Sequence, residues 1–336
     1  MERSNYDKKL PNILYKSRIG KFILLYALCL AICIDSAVGW PKRFINFIGH
    51  PVIFIGKAIS WFEKKFNYGS KKQKVLFGGC STIFLIAIFY ILMFFVEKYI
   101  SAHSDGWIRV VILAIMIWPW LAIKSMHVHI SNILIPLSNR NIEQARYELS
   151  MIVGRNTANL DENEISRSAI ESLAENTSDG VIAPLFWCFV LGLPGLVAYK
   201  VINTADSMIA YKTERFKDYG LIAAKIDDVV NYIPARLTAV IYSIVGLAPT
   251  KIRGLRHEAN LHRSPNAGWP EGMVARLLNV KLSGPRAYNN SLSNDAWLNE
   301  SAPDATPVAI GKALSLFHRT IVALIFLFFI LGTVFI

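Results

Sequence analysis

Residues 75–96 read VLFGGCSTIFLIAIFYILMFFV, without one charged side chain. A helix needs about 20 consecutive apolar residues to cross a hydrocarbon core, and this run supplies them. Working outward, 107–123 is a second such run, with Arg109 near one end and Pro119 between two tryptophans. Residues 21–38 form a third, interrupted by Asp35, and 317–336 a fourth, with only His318 and Arg319 at its start. The pattern predicts an all-α, polytopic integral membrane protein forming a single domain over 1–336. Two further stretches, 181–202 and 237–248, are apolar but broken or short. The first carries Pro184, Gly192, Pro194 and Gly195, and each predicts a crossing or a re-entrant hairpin. Broken backbone survives at membrane depth only where protein or a watery cavity satisfies its polar groups.

The basic run before residue 21 resembles the start of a signal peptide. No convincing small-x-small cleavage site follows, and Asp35 falls inside the apolar region, so the segment reads as retained. The net charge of +12 points to lipid rather than nucleic acid, because the basic residues gather beside apolar spans. Lys8, Lys9, Lys16, Arg18 and Lys21 precede the first; Lys64, Lys65, Lys71, Lys72 and Lys74 precede the second. Such clusters anchor a chain at an anionic membrane face. Both flanks of the first span are basic, so loop charge gives no one clean orientation; the link 97–106 is nearly free of positive charge, which places it outside and Lys74 and Lys124 inside. Cys29, Cys33, Cys80 and Cys188 lie in apolar segments without a metal-site pattern and read as small core residues. The polar segments 124–180 and 251–315 are expected on the cytoplasmic face of the inner membrane.

Asp161 and Glu164 have capping-box spacing, and no Gly or Pro follows until after Glu175, so a helix starts there. At 100° per residue, Glu164, Ser168, Glu171 and Glu175 share one face and Ile165, Ala169 and Leu173 the other. The acidic stripe is either a solvated helix face or part of a site. After Asn176, Asp179 and Gly180 come Asn203, Asp206 and Ser207, which share a helix face at the edge of apolar sequence, followed by Tyr211. Ionisable groups in such surroundings point to function. Asp227, Asp228 and Asn231 repeat the theme, with Pro234 ending a turn before Arg236. Carboxylates beside Arg215 and Arg236 suit a phosphate held through Mg²⁺, which favours carboxylate oxygens plus substrate phosphate. Residues 262–272, HRSPNAGWPEG, contain two prolines and two glycines and predict a rigid irregular loop presenting His262, Arg263, Asn266 and Glu271. His50, before Pro51, reads as structural or as a further ligand group.

With these residues in place the sequence resembles the CobD/CbiB family of cobalamin-biosynthesis proteins, adenosylcobinamide-phosphate synthase. The resemblance runs through Asp35, Gly49-His50-Pro51-Val52, Ile55-Gly56, Leu149-Ser150-Met151-Ile152-Val153-Gly154-Arg155 and Ala169-Ile170-Glu171-Ser172. It continues through Glu175-Asn176, Ser178-Asp179-Gly180, Ala183-Pro184-Leu185-Phe186-Trp187, Asn203-Thr204, Asp206-Ser207-Met208 and Glu214-Arg215. Asp227-Asp228-Val229, the Ile233 to Thr238 run and the loop from His262 to Glu271 complete it. Asn156 stands where the family commonly shows Asp, and Tyr288-Asn289-Asn290 replaces a more Gly-rich turn.

The resemblance implies amide formation between a propionate of the corrinoid cobyric acid, or its adenosylated form, and aminopropanol or its phosphate. A carboxylate is a poor electrophile. ATP can activate it as an acyl phosphate, which calls for Mg²⁺, cationic groups around phosphate and a base for the amine. No Walker loop is present, so ATP and Mg²⁺ are inferred from that chemistry. The expected metal ligands are Glu171, Asp179, Asp206, Asp227 and Asp228. The expected catalytic set is His262, as base, with Glu171, Asp206, Asp227 and Asp228. Arg155, Arg215, Arg236, Asn203, Asn266, Glu271 and His50 are expected to bind substrate or phosphate. Two other readings compete: a prenyltransferase-like enzyme holding a diphosphate through Mg²⁺, and a non-catalytic membrane sensor of the AmpE type.

Overall fold

A computed structural model describes the backbone of residues 3–41, 44, 49–211, 213–288, 291–293 and 295–334. Thirteen segments of α-helix are named here in chain order: α1 (Arg3–Val38), α2 (Pro51–Phe66), α3 (Lys71–His103), α4 (Gly106–Ile117), α5 (Ile123–Ser138), α6 (Ile142–Ser150), α7 (Glu162–Thr177), α8 (Ala183–Ile209), α9 (Leu221–Val230), α10 (Tyr232–Val245), α11 (Leu255–Leu261), α12 (Gly268–Leu278) and α13 (Pro307–Val334). Among the described residues, strand is confined to two short antiparallel ribbons within 282–298. The protein is thus all-α, and five helical stretches are long and apolar enough to cross a membrane.

The charge-free run lies inside α3, whose N-terminus is closed by a Ser70–Gln73 capping box. The 107–123 run is not one helix. Pro119 offers no N–H to the ladder, and a 3₁₀ turn over Trp118–Trp120 separates α4 from α5. The start of α5 is held by a buried carboxylate: Asp35 Oδ2 accepts from Ile123 N at 2.6 Å. The last apolar helix starts at Pro307, ten residues before the apolar run marks it. Tyr288 lies in a strand, whereas Asn289 and Asn290 of the expected turn lie outside the described residues.

The stretch Glu162–Ile209 is helical on both sides of Gly192 yet not straight. Gly192 has φ 70° and ψ −160°, a conformation open essentially to glycine alone. A straight helix would separate residues 179 and 199 by about 30 Å. Instead the Tyr199 hydroxyl lies 3.1 Å from the Asp179 carbonyl oxygen. The chain therefore runs out along 183–191, turns at Gly192 and returns along 193–209. The turn is secured by Glu97, whose Oε2 accepts from Leu193 N at 2.9 Å.

Long-range contacts sort the helix ends into two sets. At one end Tyr26 packs on Trp107 (5.3 Å between ring centroids) and Phe329 (5.6 Å), Arg109 bonds Ser101, and Glu97 meets the Gly192 turn. At the other end Trp118 Nε1 donates to Gly39 O at 3.0 Å, Ala122 N donates to Gly180 O at 3.1 Å, and Lys71 pairs with Asp218 at 3.9 Å. This second end carries α7 and α9 to α12, so both long polar segments lie on the same side of the bundle. Gly78 lets the backbone of Tyr219 lie directly on α3, where a Cβ would collide with its carbonyl.

Three expectations about local structure change. The acidic stripe of α7 is solvated only at its ends: Glu175 is exposed and Glu164 half-buried, whereas every residue from Ile165 to Ala174 is buried, Ser168 and Glu171 included; its Asp161–Glu164 capping box forms as expected. Pro234 does not end a turn but lies in the first turn of α10, and Gly268 to Gly272, with Pro270, open α12. The missing proline N–H costs nothing in the first turn, where it has no partner. The irregular loop is therefore only residues 262–267.

Candidate active site

The fold-back at Gly192 builds the site. Residues 178–182 form a π turn between α7 and α8, a distortion often found at functional sites, and it carries Asp179. The returning leg brings Tyr199, Lys200, Asn203 and Asp206 to the same level. The charges of Asp227, Glu175, Lys200 and Asp206 all act on Asp179. Asp227 is in turn beside Asp206, Asp228 and the Asn203 amide. Asn231, buried at the end of α9, ties these together: its Nδ2 donates to Asp227 Oδ2 at 2.9 Å and its Oδ1 lies 3.0 Å from the Tyr199 hydroxyl. Trp187 Nε1 donates to Val230 O at 3.1 Å, fixing α9 against the outgoing leg. The other oxygen of Asp227, Oδ1, is buried and accepts no hydrogen bond from the described residues.

The electrostatics follow from that packing. Burial, reinforced by the charge of Asp206, pushes the Asp227 carboxyl up to about 7. Asp228 is also raised by burial, with Lys225 opposing. His50 caps α2, its Nδ1 accepting from Val52 N at 3.2 Å. Burial and the positive charge of Lys200 lower its pKa, so His50 is a neutral imidazole on the flank of the cluster.

The remaining expected residues sit elsewhere or are engaged. Glu171 Oε1 accepts from Ser283 N at 2.6 Å, which pins α7 to the first short strand, Leu282–Ser283, and Glu171 is absent from the charges acting on Asp179. The His262 side chain is 4% exposed, its Nε2 is 3.6 Å from Glu271 Oε2, and its Nδ1 accepts from Ser264 N at 3.1 Å. This imidazole is turned into its own loop. The loop meets the acidic cluster through its neighbours: Asn266 Nδ2 donates to Asp228 O at 2.8 Å, and Asn266 Oδ1 accepts from Arg236 Nη1 at 3.1 Å. Arg236 also donates to Tyr232 O and Pro265 O and stacks on Tyr232 and Trp269, at 3.5 and 4.7 Å from the ring centroids. Arg215 grips Glu63 with two parallel bonds of 3.0 and 2.7 Å, which hold Glu63 below the usual carboxylate range. Arg155 is partly buried in the connection between α6 and α7. Its neighbour Asn156 accepts from Ala158 N at 2.9 Å, a turn an Asp would make equally well.

Sequence reasoning passed over Tyr199 and Lys200. Lys200 is the sole charge in 181–202, and a lone lysine in an apolar span was itself the available signal.

Do these residues fit Mg²⁺? Asp206, Asp227 and Asp228 supply hard oxygen donors, and Asp227 Oδ1 lacks a partner. Among the described residues no three acidic or His/Cys groups close around a single point. Mg²⁺, however, is usually held by one or two carboxylates with substrate phosphate and water completing the octahedron. The donor set fits an ion that arrives with phosphate. It fits a preformed protein cage poorly.

Residues 28–317 match the family described as CobD/Cbib protein. Cobalamin biosynthesis protein CobD of Rhodobacter capsulatus is 43% identical over 86% of this chain and 91% of its own length. The protein of that name from Brucella anthropi is 44% identical over 89% and 94%, and that from Halalkalibacterium halodurans 35% over 91% and 96%. No solved structure matches. With its acidic cluster, loop and hairpin all inside the matched residues, the chain belongs to the CobD/CbiB family.

Proposed function

We propose that this protein acts in cobalamin biosynthesis by joining a propionate carboxylate of cobyric acid, or its adenosylated form, to the amine of aminopropanol or its phosphate. The reaction takes place on the cytoplasmic side of the inner membrane. The observation that carries this reading is the family membership over residues 28–317; the acidic cluster at the end of the bundle gives it a place. Lys57, Lys64, Lys65, Lys71, Lys72, Lys74 and Lys124 lie in or beside elements of that end, which supports a cytoplasmic site by the positive-inside rule.

ATP with Mg²⁺ would supply the activation of the carboxylate. One or two of Asp206, Asp227 and Asp228 would hold the ion, with substrate phosphate and water completing its shell. Asp179 faces Lys200 and so takes an electrostatic rather than a ligating part, while Glu171 braces α7. Asn203 and Asn231 orient Asp227, the latter by a direct hydrogen bond. His50 is the preferred base in this reading, since it is neutral and flanks the cluster, whereas His262 and Glu271 shape the loop. Arg236 and Asn266 clamp that loop to α9. A prenyl diphosphate enzyme would leave the loop without a role.

The test is mass spectrometry of corrinoids from a deletion strain complemented with the gene. Accumulation of cobyric acid without the protein, and its disappearance with it, is the expected outcome. A block at any other corrinoid removes the assignment.

A further inference from the structure

Lys200 is 9% exposed and lies on the returning leg of the hairpin, among apolar residues. Its ammonium makes no hydrogen bond to the described residues and no ion pair within the 4.0 Å that defines one. The stem of this lysine is enclosed, while its ammonium, with three donors, keeps some access to solvent. Asp179 and Asp227 act on it from a distance, with His50 on its flank. In the same cluster Asp227 Oδ1 is buried and accepts no hydrogen bond from the described residues. An unmet cation and an unmet anion oxygen in one site call for a ligand that separates them: negative oxygens toward Lys200, and a cation toward the carboxylate.

Two of the three arginines expected at substrate or phosphate already have partners. Arg215 is paired with Glu63 and Arg236 with Asn266, Pro265 and Tyr232. We propose that Lys200 is the phosphate receptor of this site, taking one terminal oxygen of a substrate phosphate whose other oxygens meet a Mg²⁺ held by one or two carboxylates of the Asp206, Asp227 and Asp228 cluster. This rests on the function proposed above. It adds the residue and the ligand chemistry. A phosphate suits the place because its three terminal oxygens reach a lysine and a metal at once. A phosphate group can come from the nucleotide or from phosphorylated aminopropanol, and each gives the same contact to Lys200.

The experiment uses the full chain in lipid nanodiscs with Mg²⁺ and measures binding of two probes separately by calorimetry: a non-hydrolysable ATP analogue and aminopropanol phosphate. Lys200→Met should weaken the probe that Lys200 holds by roughly 10- to 100-fold, the range for a hydrogen bond to a charged group, and leave the other nearly unchanged. Lys200→Arg should keep an intermediate affinity. Without ligand, Lys200→Met should melt near the wild-type temperature, because no hydrogen bond to the described residues is lost. In the wild type, the same probe should protect Lys200 from reductive methylation read by peptide mass spectrometry, a measurement that needs no variant to fold. Unchanged affinity for both probes in Lys200→Met, or no binding of either to the wild type, overturns the proposal. If Lys200 controls phosphate binding while cobyric acid fails to accumulate in the deletion strain, the receptor stands and the amide-forming reaction falls.

Discussion

Gly192→Ala should do more damage than any other single-atom change in the hairpin. At φ 70° and ψ −160° a side chain costs about 1–3 kcal/mol in backbone strain alone. The new Cβ would also collide with the Glu97 carboxylate. Moving Glu97 away breaks its 2.9 Å bond to Leu193 N and leaves that amide unpaired, a further loss of about 1–3 kcal/mol. The sum, roughly 2–6 kcal/mol, is a large part of the 5–15 kcal/mol that typically holds a domain together. The readouts are thermal denaturation in nanodiscs and protein abundance in the membrane, with corrinoid product per folded molecule measured beside them. The two costs can be separated. Glu97→Ala should destabilise the wild type by the lost bond, yet cost little more once Gly192→Ala has already displaced the carboxylate, so the double variant should be less than additive. A Gly192→Ala protein within about 0.5 kcal/mol of wild type, at full abundance and activity, would refute both the turn and the claim that the fold-back assembles the site.

Asp227→Asn and Asp206→Asn should each abolish corrinoid-dependent growth while the protein remains at normal level; growth lost only in proportion to protein would mark them as packing groups. The pH dependence has a definite sign. The Asp227 carboxyl is raised from 3.8 to about 7 in the folded state, so between those values the folded protein holds a proton that the unfolded chain releases, and stability falls as pH rises through that window. Melting temperatures measured without Mg²⁺ should show this decline, and Asp227→Asn should flatten it. Activity in Mg²⁺ should move the opposite way, rising as the carboxylate ionises, at a pH below that of the metal-free group because the cation favours the charged form; a flat profile contradicts the assignment. Arg215→Ala should lower stability because the Glu63 side chain, 6% exposed, loses its partner, and adding Glu63→Gln should restore part of the loss. KM for both substrates should stay unchanged, and a raised KM for a phosphorylated substrate would return Arg215 to the site.

Local pattern carried the class of the protein. The uncharged run 75–96, the capping spacing at Asp161 and Glu164, and the crowding of acids in 203–228 are each properties of neighbouring residues, and each is legible without a fold. The proline rules were misapplied at Pro234 and Pro270 for a physical reason: the same residue stops a helix from within and starts one at its first turn, and the sequence around it looks alike. Glu171 shows the limit differently, since helical periodicity correctly put it on the face of Glu175, yet Ser283, far along the chain, engages it.

The sequence by itself determined that the chain is helical, membrane-borne and rich in acids at the edge of its apolar segments, because helix formation and membrane insertion are set over a few turns of chain. Only the tertiary structure decided which acids meet. Asp179 comes under the charges of Lys200 and Asp227 because the helix folds back at Gly192; Arg215 and Arg236 are engaged by Glu63 and Asn266; and Lys200 makes no hydrogen bond to the described residues. These are outcomes of competition among distant groups for the same charges and hydrogen bonds, and nothing in the order of residues along one segment records who its partner in space will be.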